Sequence, residues 1–333
     1  MDMQFPPAAA SSRDVETYPV GSASANLRAK LARFLLGSAT AVIALAVIAL
    51  LTFHAYIAWV IARPYVAPLN SNPEDAVGIP YETVQFPSSN GKTVLDGWFL
   101  PADSDRTVIF SHGYGGNREE FWVPLYDLAK ALHKRHYNVL MFDYGFVQPG
   151  GHVTGGVQES RELLGAIDYA EKRGSRHTYI WGFSMGAGTA LQTALLGPNI
   201  EGMILDSTFL LDPDTLYQNI RQVVEIPRFP SIPLIRLFFP VLNGVSLSQI
   251  PYQQVKSTTF PMPIFFIHGE EDHKAPYEIT EMLYDNQKTN PYSELWLLPQ
   301  GHHELIYQAQ PKQYLEKTLD FLKRIGQTVS THS

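Results

Sequence analysis

No cysteine occurs in the 333 residues. That excludes disulfide staples, thiol nucleophiles and cysteine-ligated metals, but an exported bacterial protein and a cytosolic one both fit it, so compartment stays open. Positive charge is also scarce. Lys and Arg number 25 against 32 Asp and Glu, a formal net charge of -7, and they form no clustered basic surface of the kind phosphate neutralisation needs, which sets nucleic acid aside as a partner. The acids and imidazoles at Glu270, Glu271, Asp272 and His273, and at His302, His303 and Glu304, follow no HExxH or comparable ligand spacing, so no metal and no cofactor is expected. Internal repeats are absent.

A third absence is local: from Phe34 to Ala62 there is no Asp, Glu, Lys or Arg, and only His54 is ionisable. A helix rises about 1.5 Å per residue and a bilayer core is about 30 Å thick, so this run is long enough to span, too long for a typical signal-peptide core, and reads as an uncleaved anchor. Arg28, Lys30 and Arg33 precede it and little but Arg63 follows. The positive-inside rule then puts the N-terminus in the cytoplasm and the rest of the chain outside the membrane. Residues 1–33, rich in Pro, Ala and Ser in their first part, are expected to be a disordered cytoplasmic tail. Residues 63–80 carry four prolines and read as a linker.

Apolar and charged fractions of 45% and 17% suit an ordinary globular domain, expected over residues 81–327. YETVQF and TVLDGWFL flank SSNGK as the strands of a hairpin do. The runs RTVIFSHG, NVLMFDYG, TYIWGFS, EGMILDST, MPIFFIHG and SELWLLP then alternate with helical stretches near residues 119–134, 159–172, 186–196, 277–286 and 311–325. Near-continuous apolar strands alternating with helices predict an α/β fold, a mostly parallel sheet covered on both faces, with its ligand at the carboxyl ends of the strands. Residues 209–259 break the rhythm: a helical stretch and then the proline-punctuated IPRFPSIPLIRLFFPVLNG, read as a small cap that could roof a pocket, the alternative being irregular structure packed against the domain.

The chemistry concentrates at GFSMG, Gly182 to Gly186, between the strand run TYIW and the helical run AGTALQTALL. A Ser on such a strand-to-helix turn needs small neighbours, and the turn lifts its hydroxyl above the sheet edge while the helix start directs unpaired N–H groups at it. Ser184 is the candidate nucleophile. In SHGYGGN the glycines allow close backbone approach, and the N–H groups of Tyr114 and Met185 are the candidate oxyanion hole. Asp206 and Asp143 end strands and are rival acids, although carboxylates there often accept loop N–H bonds instead.

From about Tyr81 to Ile325 the chain resembles the α/β-hydrolase superfamily, in particular capped, membrane-anchored bacterial members similar to monoglyceride lipases and serine aminopeptidase-like hydrolases. The resemblance places the acid at Asp272 in FFIHGEEDHKAP and the base after the last strand, where LLPQGHHELIY offers His302 and His303. Relatives commonly set the histidine four residues after one proline and eight before another, and Pro299 and Pro311 select His303 on that pattern. FDYGFVQPGGH departs from the usual FDxRGxGxS, which bears on the shape of the substrate pocket. The implied activity is hydrolysis of a small-molecule ester or acyl substrate by a serine esterase. A peptidase or amidase, gripping a peptide terminus with cap acids such as Asp212, Asp214 and Glu225, and a non-catalytic membrane-anchored binding protein are the alternatives.

Overall fold

The computed structural model describes residues 20–330 together with residues 1 and 3. Two compact units divide it, Met1–Phe53 and His54–Ser333. In the first, helix α1 (Val20–Val60) begins earlier than expected. Residues 2 and 4–19 of the expected disordered tail lie outside the described residues, whereas 20–33 are helical, as the helix-favouring Ala, Leu, Lys and Arg of ANLRAKLAR dictate. The stretch Ala25–Val60 is long and apolar enough to cross a membrane.

The second unit opens with the end of α1 and residues 61–80, in which helix α2 (Pro73–Val77) is capped by Asn72, whose side chain accepts from the N–H groups of Glu74 and Asp75. Then follow β1 (Glu82–Pro87), β2 (Val94–Leu100), β3 (Arg106–Ser111), α3 (Leu125–His133), β4 (Asn138–Phe142), α4 (Glu159–Lys172), β5 (His177–Phe183), α5 (Met185–Ala194) and β6 (Gly202–Asp206). After the cap helices α6 (Pro213–Arg221), α7 (Arg228–Asn243) and α8 (Tyr252–Ser257) come β7 (Ile264–Gly269), α9 (Tyr277–Gln287), β8 (Glu294–Leu298), α10 (Ile306–Ala309) and α11 (Pro311–Ser330).

The eight strands form one sheet in the order β1-β2-β4-β3-β5-β6-β7-β8. The hairpin strand β2 meets β4 antiparallel, and every pairing from β4 through β8 is parallel. Strands such as NVLMF are buried along their whole length because helices cover both faces. Helix α4 shows how: Leu163, Ala166, Ile167 and Ala170 recur at the spacing of one helical face and join one core. Tyr314, Phe321, Leu322 and Ile325 of α11 join the core on the other face. Helix α3 is shorter than the sequence suggests, starting only after Pro124.

In the cap, the proline-punctuated segment is helical rather than irregular, with Pro233 and Pro240 inside α7. Phe229 still has extended backbone, so Pro233 lies at the helix start and forgoes only the first helical N–H bond. Ile232, Ile235 and Phe239 of α7 pack with Leu216 and Ile220 of α6 and with Ile57, Ala58 and Ala62. Thus residues 57–62, at the head of this unit, complete the core of the cap.

Candidate active site

Ser184 stands between β5 and α5 with φ 49° and ψ -117°, a conformation a non-glycine residue holds only when its surroundings enforce it. They do so at both flanks. Its N–H donates to the Asp206 carbonyl at 2.9 Å, and its own carbonyl accepts from Ala187 and Phe209, each at 3.0 Å. A Cβ on Gly182 would lie 2.7 Å from Ala187 Cα, and one on Gly186 would lie 1.9 Å from the Ser111 carbonyl oxygen. Only glycine lets the helix start this close to β3.

Ser184 Oγ is 2.7 Å from His303 Nε2. The other ring nitrogen of His303, Nδ1, is 2.6 Å from Asp272 Oδ2. An ionised carboxylate only accepts, so Nδ1 carries the proton and Nε2 is left to accept from the serine hydroxyl. Asp272 Oδ1 accepts the N–H groups of Lys274 and Ala275, both at 2.9 Å. His268, which no sequence motif singled out, adds a further hold: its Nε2 is 3.2 Å from Asp272 Oδ2 and 2.9 Å from the Ala275 carbonyl. The Thr280 hydroxyl, 2.7 Å from His268 Nδ1, fits a donor to that nitrogen and leaves the proton on Nε2. Burial would raise the Asp272 carboxyl, but the bonds from His268 and His303, the His303 charge and the Ala275 N–H outweigh it and hold the carboxyl well below the usual range.

His302 lies elsewhere, its side chain half exposed and 3.6 Å from Glu271. Asp206 accepts from the hydroxyls of Tyr314 (2.7 Å) and Ser207 (2.9 Å), and burial, only partly offset by those bonds, raises its carboxyl. Asp143 is bound by Arg118, whose backbone N–H, Nε and Nη2 approach it at 2.6, 3.0 and 2.9 Å. Asp143, in FDYGFVQPGGH, is thus paired with an arginine of the preceding loop.

Among the described residues, neither the Tyr114 N–H nor the Met185 N–H has a hydrogen-bond acceptor within the protein, which leaves both free for a ligand oxygen. The loop that carries Tyr114 is anchored by His112. The Tyr144 N–H donates to His112 Nε2 at 3.1 Å, so Nδ1 donates to the Gly113 carbonyl at 3.0 Å. Burial pushes this imidazole down to about 4, against the Gly113 bond, and the Arg118 charge adds to the fall. His112 is thus a neutral strut.

The acids considered for gripping a peptide terminus have other partners. Asp212 caps α6 through the N–H groups of Asp214 and Thr215 and pairs with Lys256. Asp214 pairs with Arg228 at 2.5 Å and Glu225 with Arg221 at 3.6 Å, both on exposed surface. Of the apolar cap residues, Ile232, Ile235 and Phe239 are core, while Phe229 and Leu237 are exposed.

Two carboxyls that the sequence did not mark as part of the site, Glu120 and Glu304, are buried beside it. Their only signal is position, one in the loop after HGYGGN and the other directly after His303.

Residues 106–231 match the family model described as alpha/beta hydrolase fold. The chain is 27% identical over 254 residues to the uncharacterized protein YfhR of Escherichia coli, covering 72% of this chain and 80% of that one. It is 26% identical over 196 residues to the lysophosphatidylserine lipase ABHD12 of Danio rerio, covering 55% of this chain and only 47% of the lipase. Among solved structures, the Pyrococcus furiosus esterase Pf2001 superposes with a TM-score of 0.65 at 25% identity, over 79% of this chain and 98% of the esterase. A fold shared with esterases, together with lipase relatives, supports hydrolase activity. On this sheet, this helical cover and these matches, the chain has the α/β-hydrolase fold.

Proposed function

We propose that the protein is a membrane-tethered serine esterase that cleaves a lipid-like or other acyl ester through an acyl-enzyme intermediate. The observation that carries this reading is the chain of short contacts from Asp272 through His303 to Ser184, ending on a serine held in a strained backbone. As Ser184 Oγ attacks the ester carbonyl, its proton passes to His303 Nε2, and Asp272 stabilises the imidazolium. The carbonyl oxygen becomes an oxyanion that the free N–H groups of Tyr114 and Met185 receive, each such donor being worth about 2.7 to 4 kcal/mol. Collapse expels the alkoxide, which takes the proton from His303. Water then attacks the acyl-serine, giving its proton to His303, and the acid leaves as Ser184 is reprotonated.

The ester reading is favoured over a peptidase because Asp212 is committed to its helix cap and Lys256, and Asp214 and Glu225 to surface ion pairs. Lipase relatives and the apolar cap support an acyl substrate. Residues 209–259 serve as the cap of a catalytic domain spanning 81–327, α1 is the anchor, and the charge pattern around it keeps the N-terminus in the cytoplasm and the catalytic domain outside.

The test is labelling of the full chain with a fluorophosphonate probe. Wild type should label and turn over esters; Ser184→Ala and His303→Ala should do neither. Unlabelled, folded wild type would move the non-catalytic binding protein ahead. A reporter fused after Ser333 that is active only in the cytoplasm would overturn the orientation.

A further inference from the structure

Among the described residues, six non-glycine residues have positive φ, and four of them belong to the site: Ser184 at 49°, Ser207 at 52°, Glu304 at 58° and Glu120 at 30°. Each such conformation costs on the order of 1–3 kcal/mol. The strain at Ser184 is that of the candidate nucleophile. The strain at the two glutamates has another beneficiary.

Glu120 and Glu304 are 1% and 6% exposed. Glu120 Oε1 accepts the Gly113 N–H at 2.8 Å, and Glu304 Oε2 accepts the Trp122 indole N–H at 2.7 Å. The remaining oxygens, Glu120 Oε2 and Glu304 Oε1, have no donor. Both carboxyls converge on one glycine: a Cβ on Gly113 would lie 2.6 Å from Glu304 Oε1 and 2.8 Å from Glu120 Oε1. Two ionised carboxylates can only accept, so neither relieves the other, and burying both charges side by side is costly. One proton changes that. It turns one carboxyl into a donor, as in other closely set carboxyl pairs.

The placement gives the pair leverage. Gly113 directly precedes Tyr114, and Glu304 directly follows His303, with its Oε2 3.9 Å from His303 Nε2. The Glu304 backbone is fixed in turn, its N–H donating to Ser207 Oγ at 2.9 Å.

We propose that Glu120 and Glu304 are positioning residues that share one proton, and that the resulting carboxyl–carboxylate pair locks the Gly113–Tyr114 loop to the His303 loop, loosening the site when that proton leaves. The inference rests on the esterase reading of Ser184 and adds its regulation by pH. Burial raises both carboxyls, and the Glu304 charge raises Glu120 further; Glu304 is pushed up to about 7. The titratable groups that face the pair are His303, Asp206, Lys274, Tyr314 and Tyr144, with Asp272 behind His303. Asp206 opposes ionisation of both carboxyls, while the His303 and Lys274 charges favour that of Glu304.

The sign of the stability effect follows. Between the ordinary glutamate range near 4.3 and the raised folded value, the fold binds more protons than the unfolded chain, so stability falls as pH rises through that window and levels off above it. Glutamine keeps the shape and a permanent donor. The experiment compares the full-length wild type in detergent with Glu120→Gln, Glu304→Gln and Glu304→Ala, recording ester kcat and KM, and melting temperature, against pH. Wild-type kcat should fall about tenfold per pH unit above the pair's ionisation with KM little changed. Either Gln variant should flatten both that fall and the fall in melting temperature, while Glu304→Ala loses kcat at every pH. Parallel activity and melting curves in wild type and both Gln variants would overturn the shared proton. Should Ser184→Ala retain turnover, the esterase reading fails separately, and the melting curves alone decide the pair.

Discussion

The loops after β7 and β8 each set a carboxyl against the same imidazole, and they treat it in opposite ways. Asp272, after β7, collects the N–H groups of Lys274 and Ala275 together with His268 and His303. Glu304, after β8, collects one indole N–H and leaves its second oxygen without a donor. Both carboxyls are buried, yet one is held down and the other pushed up. Burial alone does not settle ionisation; the number of donors does. The fold supplies donors to the acid that must stay charged opposite an imidazolium and withholds them from the acid placed to keep its proton.

Asp272→Asn breaks the comparison most severely. It keeps the shape but lets the imidazole take the wrong tautomer, and we expect kcat to fall on the order of ten-thousandfold with KM little changed, as measured by steady-state ester hydrolysis. The same substitution tests the charge through stability. A carboxyl whose folded pKa is depressed adds stability that is present above the unfolded value of about 3.9 and is lost as pH falls through the folded one. The wild type should therefore lose melting temperature more steeply than Asp272→Asn as solutions are acidified below about pH 4.

A smaller effect is expected from His268→Phe, which fills the space but withdraws one donor from Asp272. A hydrogen bond to a charged group is worth about 1.5–3 kcal/mol, so kcat/KM should drop about tenfold to a hundredfold. The loss should grow toward acid pH, because a less strongly held Asp272 protonates earlier. A His268→Phe profile parallel to wild type would mean that the two backbone N–H groups suffice.

Legibility followed the range of the interactions. GFSMG and the strand ends are local: the apolar run of β5, the glycines that must meet Ala187 and Ser111, and the serine between them lie within a few residues. Acid and base were legible through the family resemblance, which puts each in the turn after its strand, and the choice between His302 and His303 turned on the proline spacing of relatives; the structure puts His303, not His302, beside Ser184. The cap was not readable as helix because Pro233 and Pro240 look like breakers, and because α7 depends on packing against α6 and residues 57–62, which periodicity within the segment cannot reveal. Glu120 and Glu304 escaped for the same reason: distant in sequence, they meet only over Gly113.

Within the cap the same contrast between donor-rich and donor-poor carboxyls recurs on a smaller scale. Asp212 is buried, caps α6 through two N–H groups and pairs with Lys256, whereas Asp214, two residues on, is an exposed partner of Arg228. Removing a helix N-cap costs about 1 kcal/mol, and an exposed ion pair contributes about 0–1 kcal/mol. Asp212→Ala should therefore lower the melting temperature by about 2–4 °C, and Asp214→Ala should leave it nearly unchanged. Fluorophosphonate labelling of Ser184 should survive both, since neither side chain contacts the Asp272, His303 and Ser184 series. Equal melting shifts in the two variants would mean that the cap is held by charge rather than by its helix start, and a loss of labelling in Asp212→Ala would tie the order of the cap directly to the reactivity of the serine.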